Sequence, residues 1–255
     1  MKIATWNVNS IRTRLEHICA WTKETQPDVI LFQEIKVTEA FFPFEDIESQ
    51  GYNLVVFGQK SYNGVAIASK FPLEDITRGL PLCPDDPQAR YIEAVTGGMR
   101  VASVYVPNGQ TVDCEKFHYK LTFMEGLGAH MAHLLTKDEP VVVGGDYNIT
   151  RDDQDVYDPE SWKEKILCSS QERTALRKLL HLGYVDLLRQ DSPEEKNYTW
   201  WDYRQDSFTQ NRGLRIDHIL GSPQVIDRLQ STGVDRHIRA LDRPSDHAPV
   251  WVNVK

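Results

Sequence analysis

Long apolar runs are absent from this 255-residue chain. Nothing in it approaches the roughly 18 consecutive apolar residues of a membrane span, and the apolar stretch behind Met1 is too short for a signal peptide. Cysteine is sparse: Cys19, Cys83, Cys114 and Cys168 are widely spaced with no C-x-x-C pair, which argues against a zinc knuckle or a disulfide-rich secreted scaffold. The expectation is a cytoplasmic protein with reduced, mostly buried thiols and no membrane contact. No Pro/Gly/Ser-rich linker, low-complexity tract or fixed-period repeat interrupts the chain, so one domain over residues 1–255, working as a monomer, is expected. Positive charge is also short. A net charge of −8 speaks against a protein that coats nucleic acid by counterion release. It leaves room for a local patch: Asp152, Asp153, Asp155, Asp158 and Glu160 on a solvated loop, with Arg173, Arg177, Lys178, Arg204, Arg212 and Arg215 facing a ligand.

What the chain does contain is a series of acidic and amide signatures, each at the end of a short apolar run: Trp6-Asn7, Gln33-Glu34, Gly145-Asp146-Tyr147-Asn148, Ile216-Asp217-His218 and Ser245-Asp246-His247. Oxygen donors from Glu34, Asp146 and Asp246 with the amides Asn7 and Asn148 suit a hard cation, Mg²⁺ or Mn²⁺. Carboxylates gathered without a cation would repel one another and raise each other's pKa. A shared metal acting on a phosphate ester is the simplest relief.

Periodicity places these residues. Lys2–Trp6 reads as a strand, followed by a helix from about Ser10 in which Ile11, Leu15, Ile18 and Trp21 recur until Pro27. Val29–Phe32 reads as a buried strand that delivers Glu34. Further strands are expected at Asn53–Phe57, Gly64–Ser69, Tyr91–Val95 and Val101–Tyr105, with turn signals between them. A long helix is expected over Asp113–Leu135, a buried strand ends at Gly144-Gly145, and an amphipathic helix spans Gln171–Leu182. Tyr198–Trp201, Arg215–Leu220 and Ala248–Val254 complete the strands. With no sustained strand–helix alternation and no G-x-G-x-x-G, two packed sheets covered by helices fit better than a Rossmann or barrel fold.

Metal-assisted phosphodiester cleavage needs a cation on a non-bridging oxygen, an activated water in line, and relief of charge on the departing oxygen. Glu34 is the first metal ligand, with Asn7, Asp246 and His247 beside it. Asp146 orients or deprotonates water and Asn148 holds water or phosphate. His247 donates to a phosphate oxygen with its ring oriented by Asp217, and Tyr105 supplies a phenol near the leaving oxygen. Any one of these alone has a bland reading as a turn former, helix cap or core aromatic. It is the combination that counts.

The motifs Trp6-Asn7-Val8-Asn9-Ser10-Ile11-Arg12, Leu31-Phe32-Gln33-Glu34-Ile35-Lys36, Tyr62-Asn63-Gly64-Val65-Ala66-Ile67, Gly144-Gly145-Asp146-Tyr147-Asn148-Ile149, Gly213-Leu214-Arg215-Ile216-Asp217-His218 and Pro244-Ser245-Asp246-His247-Ala248-Pro249-Val250 occur in order along the chain. Together they resemble the exonuclease III family of abasic-site endonucleases, within the wider endonuclease/exonuclease/phosphatase superfamily. The resemblance implies an α+β fold, a four-layer α/β/β/α sandwich of the DNase I type, with the site at one edge of the two sheets. It places the family's metal glutamate on Glu34 and supporting asparagine on Asn7, and its tyrosine on Tyr105. Its catalytic aspartate and asparagine fall on Asp146 and Asn148, its aspartate–histidine pair on Asp217 and His247, and a second metal-side carboxylate on Asp246.

The same resemblance aligns Tyr198–Arg204 with an aromatic strand, so that Trp200, Leu214 and Ile216 would pack an extruded, baseless sugar. Core packing is the alternative for Trp200 and Trp201. Asn108 stands where a glutamine is common, and either amide donates to phosphate. Lys116 and Lys120 are read as phosphate contacts, with solvated helix positions as the alternative. Arg173, Arg204 and Arg215 complete the expected DNA-facing set, and the segment from Trp162 to Arg173 corresponds to a loop of variable bulk near the DNA. The implied partner is double-stranded DNA carrying abasic sites or 3′ blocks. A phosphomonoesterase or phospholipase of the same superfamily, and a nucleic-acid-binding regulator without catalysis, are the competing readings.

Overall fold

The computed structural model describes residues 1–255. In chain order its elements are β1 (Lys2–Asn7), α1 (Leu15–Thr25), β2 (Val29–Gln33), α2 (Phe44–Glu48), β3 (Asn53–Phe57), β4 (Val65–Ser69), β5 (Glu74–Arg78), β6 (Tyr91–Thr96), β7 (Met99–Tyr105) and α3 (Glu115–Leu135). There follow β8 (Val141–Asp146), α4 (Pro159–Trp162), α5 (Ser170–His181), β9 (Val185–Asp186), α6 (Leu187–Asp191), β10 (Asp217–Gly221), α7 (Pro223–Ile226), β11 (Leu229–Val234) and β12 (Val250–Val254).

Alternation along the strands builds the layers. Ile3, Val29, Leu31, Val65 and Ile67 point one way and meet Ile92, Val101, Val142 and Ile219 of the second sheet in one dry cluster. Ala4, Trp6, Ile30 and Phe32 point the other way, onto Ile18 and Trp21 of α1. On the opposite side Tyr91, Ala102, Val141 and Val143 meet Phe123, Leu127 and Met131 of α3 and Leu176 and Leu179 of α5. Helix, sheet, sheet and helix are therefore stacked, as the expected α/β/β/α sandwich requires.

The sheets have the strand orders β11-β12-β1-β2-β4-β3 and β5-β6-β7-β8-β10-β9. Each contains one parallel pair, β1 with β2 and β7 with β8, amid antiparallel neighbours. Parallel neighbours end on the same side, and that side carries the acidic signatures. Gly144 is needed where the sheets meet, because a Cβ there would lie 2.7 Å from Leu31 Cδ1.

Several boundaries differ from expectation. The first helix starts at Leu15 rather than Ser10, since Asn9 and Ser10 are left-handed (φ 44° and 93°). Tyr198–Trp201 is not a strand; Trp200 makes only isolated bridges to Leu214 and His247. β5 and β11 went unanticipated because their faces are charged or only half-buried, which erases the apolar alternation. All four cysteines are free, but only Cys168 is buried, the other three being partly exposed against expectation.

Candidate active site at the ends of the central strands

Asn7 ends β1, Glu34 follows β2, Tyr105 ends β7 and Asp146 ends β8. Tyr105 stands opposite Asp146 in register, and Asp146 stands opposite Asp217, the first residue of β10. His247 arrives on the segment entering β12. Glu34 leaves its strand with left-handed backbone (φ 48°), as does Asn148 (φ 51°). That conformation is unfavourable for glutamate and is imposed by flanking backbone bonds, Ser10 N–H to the Glu34 carbonyl at 2.8 Å and Ile35 N–H to that of Gly64 at 3.2 Å.

Asn7 Nδ2 donates to Glu34 Oε1 and to Asp146 Oδ2, both at 2.9 Å, holding the two carboxylates on either side of one amide. Asp146 Oδ1 accepts the Asn148 N–H at 2.9 Å, and its Oδ2 accepts Asn148 Nδ2 at 3.2 Å. His247 Nδ1 lies 2.9 Å from Asp217 Oδ2, while its Nε2 faces Asp146 Oδ2 at 3.7 Å. Thr199 Oγ1 donates to Asp217 at 2.6 Å. Burial alone would lower the His247 pKa, but the Asp217 and Asp146 charges outweigh it and hold the imidazole up at about 10. Burial, aided by the Asp217 and Glu34 charges, pushes Asp146 up to about 7 although His247 opposes the shift. Tyr105 is raised well above the usual phenol value, first by burial and then by Glu34 and Asp146.

Ligand atoms of Glu34, Asp146 and His247 all lie within 4.8 Å of one another. Glu34 pairs with Lys36, and Asp146 and Asp217 face His247, yet burial and then the Asp217 and Glu34 charges leave Asp146 raised. A hard divalent cation on Glu34 and Asp146 fits that donor set.

The remaining expected ligands are placed differently. Asp246 accepts from Asn9 Nδ2 and Trp200 Nε1, both at 2.9 Å, and so orients the indole. The amide oxygens of Asn7 and Asn148 accept from Asn9 N–H and Asn108 Nδ2, so both side chains steer carboxylates. A ring nitrogen of His247 lies within 4.8 Å of ligand atoms of Glu34 and Asp146, and Asp217 holds the ring through Nδ1.

Among the expected DNA contacts, Asn108 and Lys116 line a cavity of about 670 Å³ beside Tyr105, with Tyr62, Arg90 and Tyr119. Arg204 is exposed and forks onto Asp202, and Arg173 reaches Asp153 at 2.7 Å at the surface. Two expectations are overturned by burial. Lys120 has no exposed surface, its ammonium being enclosed by Glu172 and two backbone carbonyls. Arg215 is likewise buried, clamped by Asp155 at 2.6 Å and Asp186 at 2.7 Å. Asp155 is thus no solvated loop residue. Leu214 and Ile216 lie in a small cluster with Val156, Leu167 and Cys168, and the half-buried Trp162 and Trp200 pack against it. Trp201 is core, packed edge-on against Phe208.

Some members of the site had no sequence signal of their own. Lys36 pairs with Glu34 at 2.8 Å and donates to Asn9 at 2.6 Å. Ser245 Oγ donates to the Asn7 carbonyl at 2.6 Å and accepts the His247 N–H at 3.2 Å. Each sits inside a recognised motif, yet a loop lysine or serine has too many ordinary uses to be singled out.

The model of the Endonuclease/Exonuclease/phosphatase family matches residues 4–247. The chain is 36% identical over 267 residues to exodeoxyribonuclease III of Haemophilus influenzae, covering 100% of both. Among solved structures, a 3′ phosphatase from Neisseria bound to a product DNA hairpin superposes with a TM-score of 0.98 at 45% identity, covering 100% of this chain and 99% of that one. An AP endonuclease from Archaeoglobus fulgidus gives 0.96 at 38% identity with the same coverage. The chain therefore belongs to the endonuclease/exonuclease/phosphatase family.

Proposed function

We propose that the protein is a DNA repair phosphodiesterase, dependent on Mg²⁺ or Mn²⁺. It cleaves duplex DNA 5′ to abasic sites to leave a 3′-hydroxyl, and removes 3′-blocking phosphates and 3′-terminal nucleotides. The observation that carries this reading is the convergence of Glu34, Asp146 and the Asp217–His247 pair at one edge of the sheets. The DNA-acting relatives named above support it.

Glu34 and Asp146 would hold the cation, which would supply positive charge for a non-bridging phosphate oxygen. Asp146, oriented by Asn7 and Asn148, orients the attacking water and takes its proton. His247, kept protonated by Asp217, donates to a phosphate oxygen as charge accumulates there. The Tyr105 hydroxyl is held beside Glu34 and accompanies the leaving oxygen. Trp200 forms the wall an extruded sugar meets first, while Leu214 and Ile216 receive it only if the cluster around Leu167 yields.

We take the enzyme to act as one domain and as a monomer in the cytoplasm. Pairing of β1 with β12 supports the single domain; no helix is long and apolar enough to cross a membrane. The test is a set of duplex oligonucleotides bearing an internal abasic site, a 3′-phosphate or a recessed 3′-hydroxyl, with Mg²⁺, Mn²⁺ or EDTA. Metal-dependent product from these substrates is expected. Intact substrates in both metals, or faster turnover of inositol phosphate or sphingomyelin, would reject the reading.

A further inference from the structure

Lys120 and Glu172 form a fully buried ion pair that the chemistry above does not use. The ammonium has three protons and three acceptors: Glu172 Oε1, the Asn108 carbonyl at 3.1 Å and the Asn148 carbonyl at 2.7 Å. Glu172 is equally occupied. Its Oε1 accepts the Leu167 N–H at 3.0 Å, and its Oε2 accepts the Ser169 N–H at 3.1 Å and the Ser169 hydroxyl at 2.6 Å. One charge pair therefore ties the loop after β7, the loop after β8, the Leu167 segment and helices α3 and α5. The two loops carry amides that touch directly, Asn108 Nδ2 to Asn148 Oδ1 at 3.2 Å, and Asn148 in turn orients Asp146. Gly109 lets the lysine stem pass: a Cβ there would lie 3.1 Å from Lys120 Cδ.

We infer that Lys120 and Glu172 are positioning residues for the phosphoryl-transfer site, setting the spacing of the Asn108 and Asn148 amides through their backbone carbonyls without touching DNA. This rests on the proposed function for what the amides hold. The pair fixes carbonyl direction at Asn148, whose backbone is left-handed and so depends on its surroundings. It also couples that amide to the Leu167 wall beneath Trp200, so tightening one side constrains the other.

Lys120→Met alone strands a buried carboxylate and is expected to fold poorly. The informative variant is Lys120→Met/Glu172→Gln, which removes both charges at similar volume. Its kcat on the 3′-phosphate duplex is expected to fall at least tenfold, with KM and the Mg²⁺ half-saturation within about threefold of wild type. The logarithmic salt dependence of DNA affinity should be unchanged, because no phosphate contact is lost. In an Asn148→Ala background the same double change should cost less than about twofold. A salt slope smaller by about one would make Lys120 a direct phosphate contact and overturn the inference, as would full additivity with Asn148→Ala or an unchanged kcat. Crystals of the double variant supply a readout that needs no activity: the Asn108–Asn148 contact should open, and its retention overturns the clamp. Wild-type inactivity on every DNA substrate would instead overturn the functional reading alone.

Discussion

In the proposed mechanism Asp146 and His247 divide the proton chemistry, the carboxylate raised by burial and then by like charges, the imidazole raised against its burial by opposite ones. Asp146→Asn and His247→Ala should each lower single-turnover cleavage by about 10²–10⁴-fold while abasic DNA still binds in a fluorescence anisotropy assay. Near-wild-type rates from either would remove it from its role. The imidazole makes a second prediction, in EDTA. Its pKa rises from 6.5 to about 10 on folding, so the stability it contributes is fully present below about pH 6.5 and is lost as pH climbs through about 10. In Asp217→Asn the imidazole proton should leave at clearly lower pH, as followed by NMR. An unmoved titration would mean that Asp217 does not hold the charge.

Helix termini carry the next level of organisation. At the start of α3 nearby backbone N–H groups, that of Thr111 first, bring the Cys114 thiol down to about 7, while its S–H donates to the Gly109 carbonyl at 3.1 Å. Burial pushes Cys19, Cys83 and Cys168 up. Iodoacetamide should therefore label Cys114 first, its rate rising with pH through about 7 as thiolate forms. Peptide mapping that finds another cysteine ahead would contradict this. At the start of α5, Ser169 and Glu172 form a reciprocal capping box. Ser169→Ala should cost about 1 kcal/mol in urea unfolding, and a loss well below about 0.5 kcal/mol would show that the box contributes little. These two helices had clear periodicity, and their expected and observed limits differ by one or two residues.

Across the whole molecule, a second charge cluster braces the site from behind. Arg215 lies between Asp155 and Asp186 with no exposed charge, and both carboxyls are held below the ordinary 3.8: their burial raises them, but Arg215 outweighs it. Arg215→Met should destabilise by about 3–5 kcal/mol, since it strands buried charge. In the wild type the contribution of these carboxylates is present above about pH 4 and is lost as pH falls below it toward their depressed values. Urea unfolding of both proteins at pH 7, and of the wild type through acid values below about pH 4, checks both statements. A variant within about 1 kcal/mol of wild type would show that Met repacks the cluster without penalty.

Sequence by itself determined the layers and the chemistry. Strand alternation in Lys2–Asn7 and Val29–Gln33, the turn signals, and carboxylates and amides at the ends of apolar runs are local patterns, legible because each depends on near neighbours. Tertiary structure decided which polar side chains reach solvent or the site. Lys120 and Arg215 looked like phosphate contacts and are buried in ion pairs; Asp246, expected on the metal, accepts the Trp200 indole N–H; Lys36 and Ser245 were given no role of their own and are hydrogen-bonded into the site. A charged residue has the same letter whether it is solvated or paired across strands far apart in the chain. Its role follows from the partner that folding brings to it, and that partner is a long-range property.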